Sequence, residues 1–243
     1  MDILEQYIYD QMKNVIESIE DQTTKSLQLC SAKDDTRNMK IGSNIKTLKR
    51  NIISYTLPLS YKFMDKIEWD ENRTKCIVIG YNPSLSVYEN IDRTNKKMIV
   101  ALDEVLDMGG YFLLNYYPIV DSDPESVIED ITSNGFKINQ VYTLALKNIL
   151  EFNLKNDKIP VILMWGPTLA PEATTKDIYR LLEKYKESEL LRYTCKKNDQ
   201  YKFIHGSGRR IAAKDYHFPK VDTLKIDEFD NTIVIEPPLI TIK

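Results

Sequence analysis

Apolar positions along this chain change period several times, and each change predicts an element. Ile3, Leu4, Tyr7, Ile8, Met12, Val15, Ile16 and Ile19 recur at helical spacing, which predicts an amphipathic helix within residues 1–30. Segment 31–50 is polar and basic, with Arg37, Lys40, Lys46, Lys49 and Arg50, and reads as a loop plus a short helix. Ile52 to Tyr55 and Tyr61 to Met64 read as strands, and Pro58 between them marks a hairpin or a paired edge segment. From there short apolar runs alternate with helical ones. Cys76–Ile79, Tyr111–Leu114, Val161–Trp165 and Tyr201–Ile204 are predicted strands; Lys96–Asp107, 138–152 and Lys176–Leu191 are predicted helices. Gly109-Gly110 is expected to stop the first of these helices as a C-terminal cap. Thr232–Ile235 reads as one more edge strand.

Unbroken apolar strands imply a sheet covered on both faces, and strands alternating with helices imply parallel pairing with helical crossovers. The expected fold is a three-layer α/β/α domain over residues 51–243, with a central four-stranded, mainly parallel sheet. Residues 1–50 read as an N-terminal helical extension, free to bind a protein partner or to pack against the sheet.

Composition narrows this picture without redirecting it. The chain has 243 residues, 42% hydrophobic and 28% charged, enough for one sizeable core. Its first residues are acidic and amphipathic and it has no long apolar run, so neither a membrane span nor a signal peptide is expected. Three widely separated cysteines, Cys30, Cys76 and Cys195, argue against a disulfide framework, a zinc site or an iron–sulfur cluster. A cytoplasmic protein without metal or cofactor is the expectation. A net charge of −3 exerts no general pull on nucleic acid, but Arg192 to Lys220 holds eight Lys or Arg against two Asp. That run is either a solvated face or a local phosphate-contacting patch.

The candidate chemistry sits where strands end. In an open α/β sheet, ligands bind in the crevice beyond the carboxyl ends of the strands. Asn82, Asn115, Trp165-Gly166 and His205 each follow a predicted strand, and the second of only two histidines, His217, comes shortly after. Singly, each has an ordinary explanation as a turn residue or a structural histidine. Their recurrence at the same end of successive strands is what singles them out.

Gly80-Tyr81-Asn82-Pro83-Ser84 resembles the first motif of the uracil-DNA glycosylase superfamily, a Gly-x-Asp-Pro or Gly-x-Asn-Pro turn after the first strand. Phe112-Leu113-Leu114-Asn115 is similar to the strand whose terminal Asn reads the uracil edge, and Ile162 to Gly166 to the third strand ending in Trp-Gly. His217-Phe218-Pro219 is similar to the His-Pro-Ser loop, with Phe218 intervening, and Ser84 stands where that family has Tyr or Gly. The stretch from Tyr55 to Trp69 also resembles a family of uncharacterised bacterial and mobile-element proteins with a hairpin before an Asn-Pro-Ser turn.

The resemblance implies hydrolysis of uracil from DNA by base flipping, without metal or cofactor, with repair, element maintenance and defence all open as its setting. It implies that Asn82 orients water or its loop, that Asn115 reads uracil, and that His217, or else His205, donates to the uracil O2. Gly80, Tyr81, Pro83, Ser84 and Tyr88 would surround the base, with Tyr81, Tyr88 or Tyr116 stacking on it. Ser207, Arg209, Arg210 and Lys214 would hold DNA phosphates, and Ile211 would act as a wedge. Two rivals stand beside this reading: a non-catalytic nucleic-acid or nucleotide-binding module, and a hydrolase or transferase of free nucleosides or nucleotides.

Overall fold

A computed structural model describes residues 3–20, 29–31, 35–41, 44–57, 59–83, 91–121, 136–164, 178, 180–182, 184–187, 190–192, 194–195 and 216–217. Three helices are α1 (Ile3–Glu20), α2 (Arg93–Leu106) and α3 (Phe136–Lys155). The strands are β1 (Leu29–Ser31), β2 (Asp35–Ile41), β3 (Asn44–Leu57), β4 (Leu59–Glu68), β5 (Lys75–Gly80), β6 (Gly110–Asn115), β7 (Val161–Leu163), β8 (Leu190–Arg192), β9 (Thr194–Cys195) and β10 (Tyr216–His217).

The first eight strands form one sheet in the order β1-β3-β4-β6-β5-β7-β8, with β2 on β3, while β9 and β10 form a separate antiparallel pair. Pairings β1·β3, β2·β3, β3·β4 and β4·β6 are antiparallel; β5·β6, β5·β7 and β7·β8 are parallel. This overturns the expected four-stranded, mainly parallel sheet. The α/β class holds, but the sheet is mixed and most of its pairings are antiparallel.

The difference lies in segment 31–50, whose described residues form strands and no helix. Its charges sit on a two-stranded ribbon, with Arg37, Lys40 and Lys49 exposed while Leu48 and Arg50 turn inward. Alternation of that kind is a strand signal, masked here because one inward residue is itself an arginine. The expected β3–β4 hairpin is present. Lys176–Leu191 is not one helix either: a 3-10 turn at Lys184–Glu187 precedes β8, which supplies the fourth parallel strand. The expected strands Tyr201–Ile204 and Thr232–Ile235 lie outside the described residues.

β5 and β6 are buried along nearly their whole length because helices cover both faces. Ile77, Ile79, Phe112, Leu114, Val161 and Leu163 face α1 and α3; Cys76, Val78, Tyr111, Leu113 and Ile162 face α2. The strict alternation of these two sets is the pleat made visible. α1 packs on α3, with Tyr7 stacked on Phe152 at 4.1 Å, so the predicted N-terminal helix belongs to the same core as the sheet.

α2 is fixed at both ends by aspartates. Asp92 is extended and accepts from the Asn95 N–H at 2.7 Å, satisfying an otherwise unpaired first-turn donor. The stop falls at Asp107, in the left-handed region at φ 53, rather than at Gly109-Gly110. Gly109 is needed for a different reason: a Cβ there would lie 2.1 Å from the Asp70 carbonyl oxygen.

Candidate ligand cavity at the strand ends

β5 lies between β6 and β7, so the chain leaves it on one side through α2 and returns on the other through α3. That reversal opens a crevice at the carboxyl ends of the parallel strands. Pairing continues past them: Tyr116 N–H donates to the Gly80 carbonyl, Tyr117 N–H to Tyr81 and Met164 N–H to Ile79, each at 2.8 Å. The turn residues are therefore held in register rather than splayed.

A cavity of about 450 Å³, counted with its open mouth, occupies the crevice. Gly80, Tyr81, Asn82 and Pro83 form one wall, and Leu113, Asn115 and Met164 the floor. Asp92, Thr94 and Asn95 come from the start of α2, and Lys62 and Asp65 from β4. Gly80 faces Asn115 across the ladder, and a Cβ at 80 would come within 2.4 Å of the Asn115 Oδ1. The glycine is thus the clearance for the Asn115 carboxamide. Asn115 is 3% exposed, and among the described residues its carboxamide makes no hydrogen bond.

Lys62 and Asp65 reach the cavity through an irregularity. Ile53 pairs with Met64 but Ser54 with Lys62, so Phe63 is an extra residue on β4. Residues three apart on a regular strand face opposite ways; one bulged residue puts them on the same side. Phe63 and Met64 consequently both enter the core under α1 and α3, while Lys62 and Asp65 both line the cavity on the α2 side. The Tyr142 hydroxyl from α3 donates to the Asn115 carbonyl at 2.7 Å and lies 3.3 Å from the Phe63 carbonyl, tying bulge to strand end. Burial raises the Tyr142 pKa, so this donor stays protonated.

The charge in the cavity wall is partly compensated. Arg50 from β3 grips Asp65 with two bonds, Nε to Oδ1 at 2.9 Å and Nη2 to Oδ2 at 2.6 Å. Burial works against the Arg50 charge, yet the bonds and charge of Asp65 outweigh it and hold its pKa above the ordinary value. Lys62 is 6% exposed, and burial draws its pKa down; Arg50 adds to that, while Asp65 and Asp92 oppose it. Tyr111 donates to the Asn95 Oδ1 at 3.0 Å.

Of the residues named from the sequence, Gly80, Tyr81, Asn82, Pro83 and Asn115 meet at this cavity. Asn82 spends its Nδ2 on the Asp121 carbonyl at 2.7 Å, stapling its own loop to the one after β6. Tyr81 is 8% exposed and packs edge-on against Tyr117 at 5.3 Å; Tyr116 is buried in the core. His217 lies in β10, paired with Thr194, and that strand approaches α2. Ser84, Tyr88, His205, Ser207, Arg209, Arg210, Ile211 and Lys214 lie outside the described residues. Lys62, Asp65, Asp92 and Asn95 were missed. The one available signal was the charges Lys62, Asp65 and Lys66 interrupting the apolar positions from Tyr61 to Ile67.

An α/β protein with an open cavity of mixed polar and apolar lining at its topological switch point is what fold and site define. Among known families, the chain matches over residues 64–205 the one described as protein of unknown function (DUF1643), and it belongs to that family. No curated protein and no solved structure matches it. Membership in the uracil-DNA glycosylase superfamily, expected from the turn motifs, is not upheld. The family matched is a different one, and the sheet is not the four-stranded parallel type. Gly, Asn and Pro after a buried strand are what many strand ends require, so those motifs carried less information than their order suggested. Among the described residues no helix is long and apolar enough to cross a membrane.

Proposed function

We propose that the cavity receives a uracil base turned out of DNA and that the protein hydrolyses its N-glycosidic bond, leaving an abasic site. The observation that carries this reading is the buried Asn115 carboxamide facing the cavity. A carboxamide presents a donor beside an acceptor, and uracil presents O4 beside N3–H; cytosine presents the opposite pattern. A site whose buried polar groups are left unpaired by the wrong ligand discriminates strongly.

In this reading Asn82 keeps its loop closed through Nδ2 and orients a water through its other amide atom. His217, or else His205, donates to O2 as charge develops on the leaving base. The basic run from Arg192 to Lys220 supplies phosphate contacts in a chain of net charge −3. The protein would act on cytoplasmic DNA in repair or in maintenance of a mobile element. Two features favour a second reading, a nucleotide-binding module without catalysis: the Asn82 amide is engaged in holding the loop, and the first turn carries no carboxylate.

The test is a gel assay on a single-stranded oligonucleotide with one uracil, treated with alkali to reveal abasic sites. Asn115→Ala, His217→Ala and His205→Ala are run beside the parent protein. Uracil-dependent cleavage should fall by about 10²–10³ in Asn115→Ala and in one histidine variant, as removal of a charge-stabilising donor typically does. No cleavage of single- or double-stranded substrate, with oligonucleotide binding retained, would leave the binding module.

A further inference from the structure

We propose that Lys62 is a nucleophilic amine: its Nζ attacks an aldehyde held in the cavity, the ring-opened C1′ of an abasic site, and forms a Schiff base that leads to strand cleavage. The choice of aldehyde rests on the base-excision reading above; the lysine's role rests on its placement.

Three observations place it. The Phe63 bulge turns Lys62 onto the cavity side of β4, where a regular strand would leave Lys62 and Asp65 on opposite faces. Asp65, on the same side, is held in place by Arg50, which bonds both of its carboxylate oxygens. Lys62 lines the cavity together with Leu113, Met164, Tyr81 and Pro83, and with Asn115 and Asp92.

A lysine becomes a nucleophile by losing its proton, which is favoured by an apolar surround and by a second cation nearby. At Lys62 burial is the main influence lowering the pKa, and Arg50 adds to it, against Asp65 and Asp92. Among the described residues, those three and the Tyr111 hydroxyl are the charged and titratable groups that act on this end of β4.

The step balances without any further reagent. The Nζ lone pair forms a bond to C1′, and the resulting carbinolamine loses water to give an iminium. The iminium draws electrons from C2′ as a carboxylate, for which Asp92 is placed, takes the C2′ proton. The C3′–O bond then breaks, and the 3′ phosphate leaves with the electron pair. Hydrolysis of the imine frees Lys62 and an unsaturated sugar aldehyde on the other fragment.

The experiment uses the full chain and a single-stranded oligonucleotide carrying a preformed abasic site, mixed with sodium borohydride. Reduction should trap a covalent protein–DNA adduct, visible on a denaturing gel and mapped by peptide mass spectrometry to Lys62. The adduct should be lost in Lys62→Met and also in Lys62→Arg. Arginine keeps the charge but forms no imine, so rescue by arginine would mean a purely electrostatic role and would overturn the inference. An adduct on other lysines, or none, overturns it as well. If Lys62→Met does not fold, the mapped position and Lys62→Arg still decide. Because the abasic site is supplied ready-made, trapping does not depend on uracil excision. Excision without an adduct sinks only this inference, whereas an adduct without excision sinks only the base-excision reading.

Discussion

The two faces of the sheet are made by alternate residues of the same strands, yet they do opposite things. Under α1 and α3 the face is dry, built of Ile77, Ile79, Phe63, Phe112, Leu114, Tyr142 and their neighbours. Under α2 the face starts apolar at Cys76, Val78 and Tyr111, then gives way toward the strand ends to Arg50, Asp65, Lys62 and Asn115, with Asn95 facing them from α2. Burying charge opposes folding unless it is paired, whereas each fully buried aliphatic or aromatic side chain contributes roughly 1.5–3 kcal/mol. One face therefore holds the fold while the other holds a polar cavity at the expense of stability. The β4 bulge is the device that divides them, since it sends Phe63 and Met64 to the first face and Lys62 and Asp65 to the second.

The comparison breaks most sharply if dry-face truncations prove mild. Phe63→Ala removes a side chain packed near Tyr61 and Tyr142 and should cost about 3–5 kcal/mol in urea unfolding, like other large core truncations. On the other face, Asp65→Ala strands the Arg50 guanidinium and should also cost about 3–5 kcal/mol, but the double change Arg50→Met with Asp65→Leu should recover most of that. A double variant as unstable as the single one would mean that the pair is structural rather than retained for the cavity.

A smaller effect is expected at the cap. Asp92→Ala frees the Asn95 N–H and should cost about 1 kcal/mol by thermal unfolding, and it should loosen the cavity rim.

Smallest is a pH effect away from the cavity. Burial works against the Asp103 carboxylate, but hydrogen bonds from Lys46 and Arg73, with their charges, hold its pKa below the usual value. A depressed carboxylate pKa adds stability that is present above the unfolded value and disappears as pH falls through the folded one. Asp103→Asn should therefore be less stable than the parent by a constant amount above about pH 4, and in acid unfolding the gap should close as pH falls below that value.

Several parts of this architecture were legible from residues alone. The apolar runs at 76–79, 111–114 and 161–163 are strands, helices cover 93–106 and 136–155, and Gly80, Asn82 and Asn115 stand at the strand ends around a cavity. Local pattern suffices there because a strand covered on both faces must be apolar throughout and must end in residues that turn. Segment 35–50 was misread because Arg50, an inward-facing charge, looks like any surface arginine until Asp65 is seen beside it. The turn motifs were over-read for the converse reason: strand ends in unrelated sheets need the same small and amide residues.

The chain by itself determined which segments must be buried and where they must stop, because desolvation and turn chemistry act on neighbours in sequence. Only the tertiary structure decided which way Lys62 and Asp65 face. Their side follows from the register of β3 against β4, and a slip of one residue there inverts every side chain beyond it.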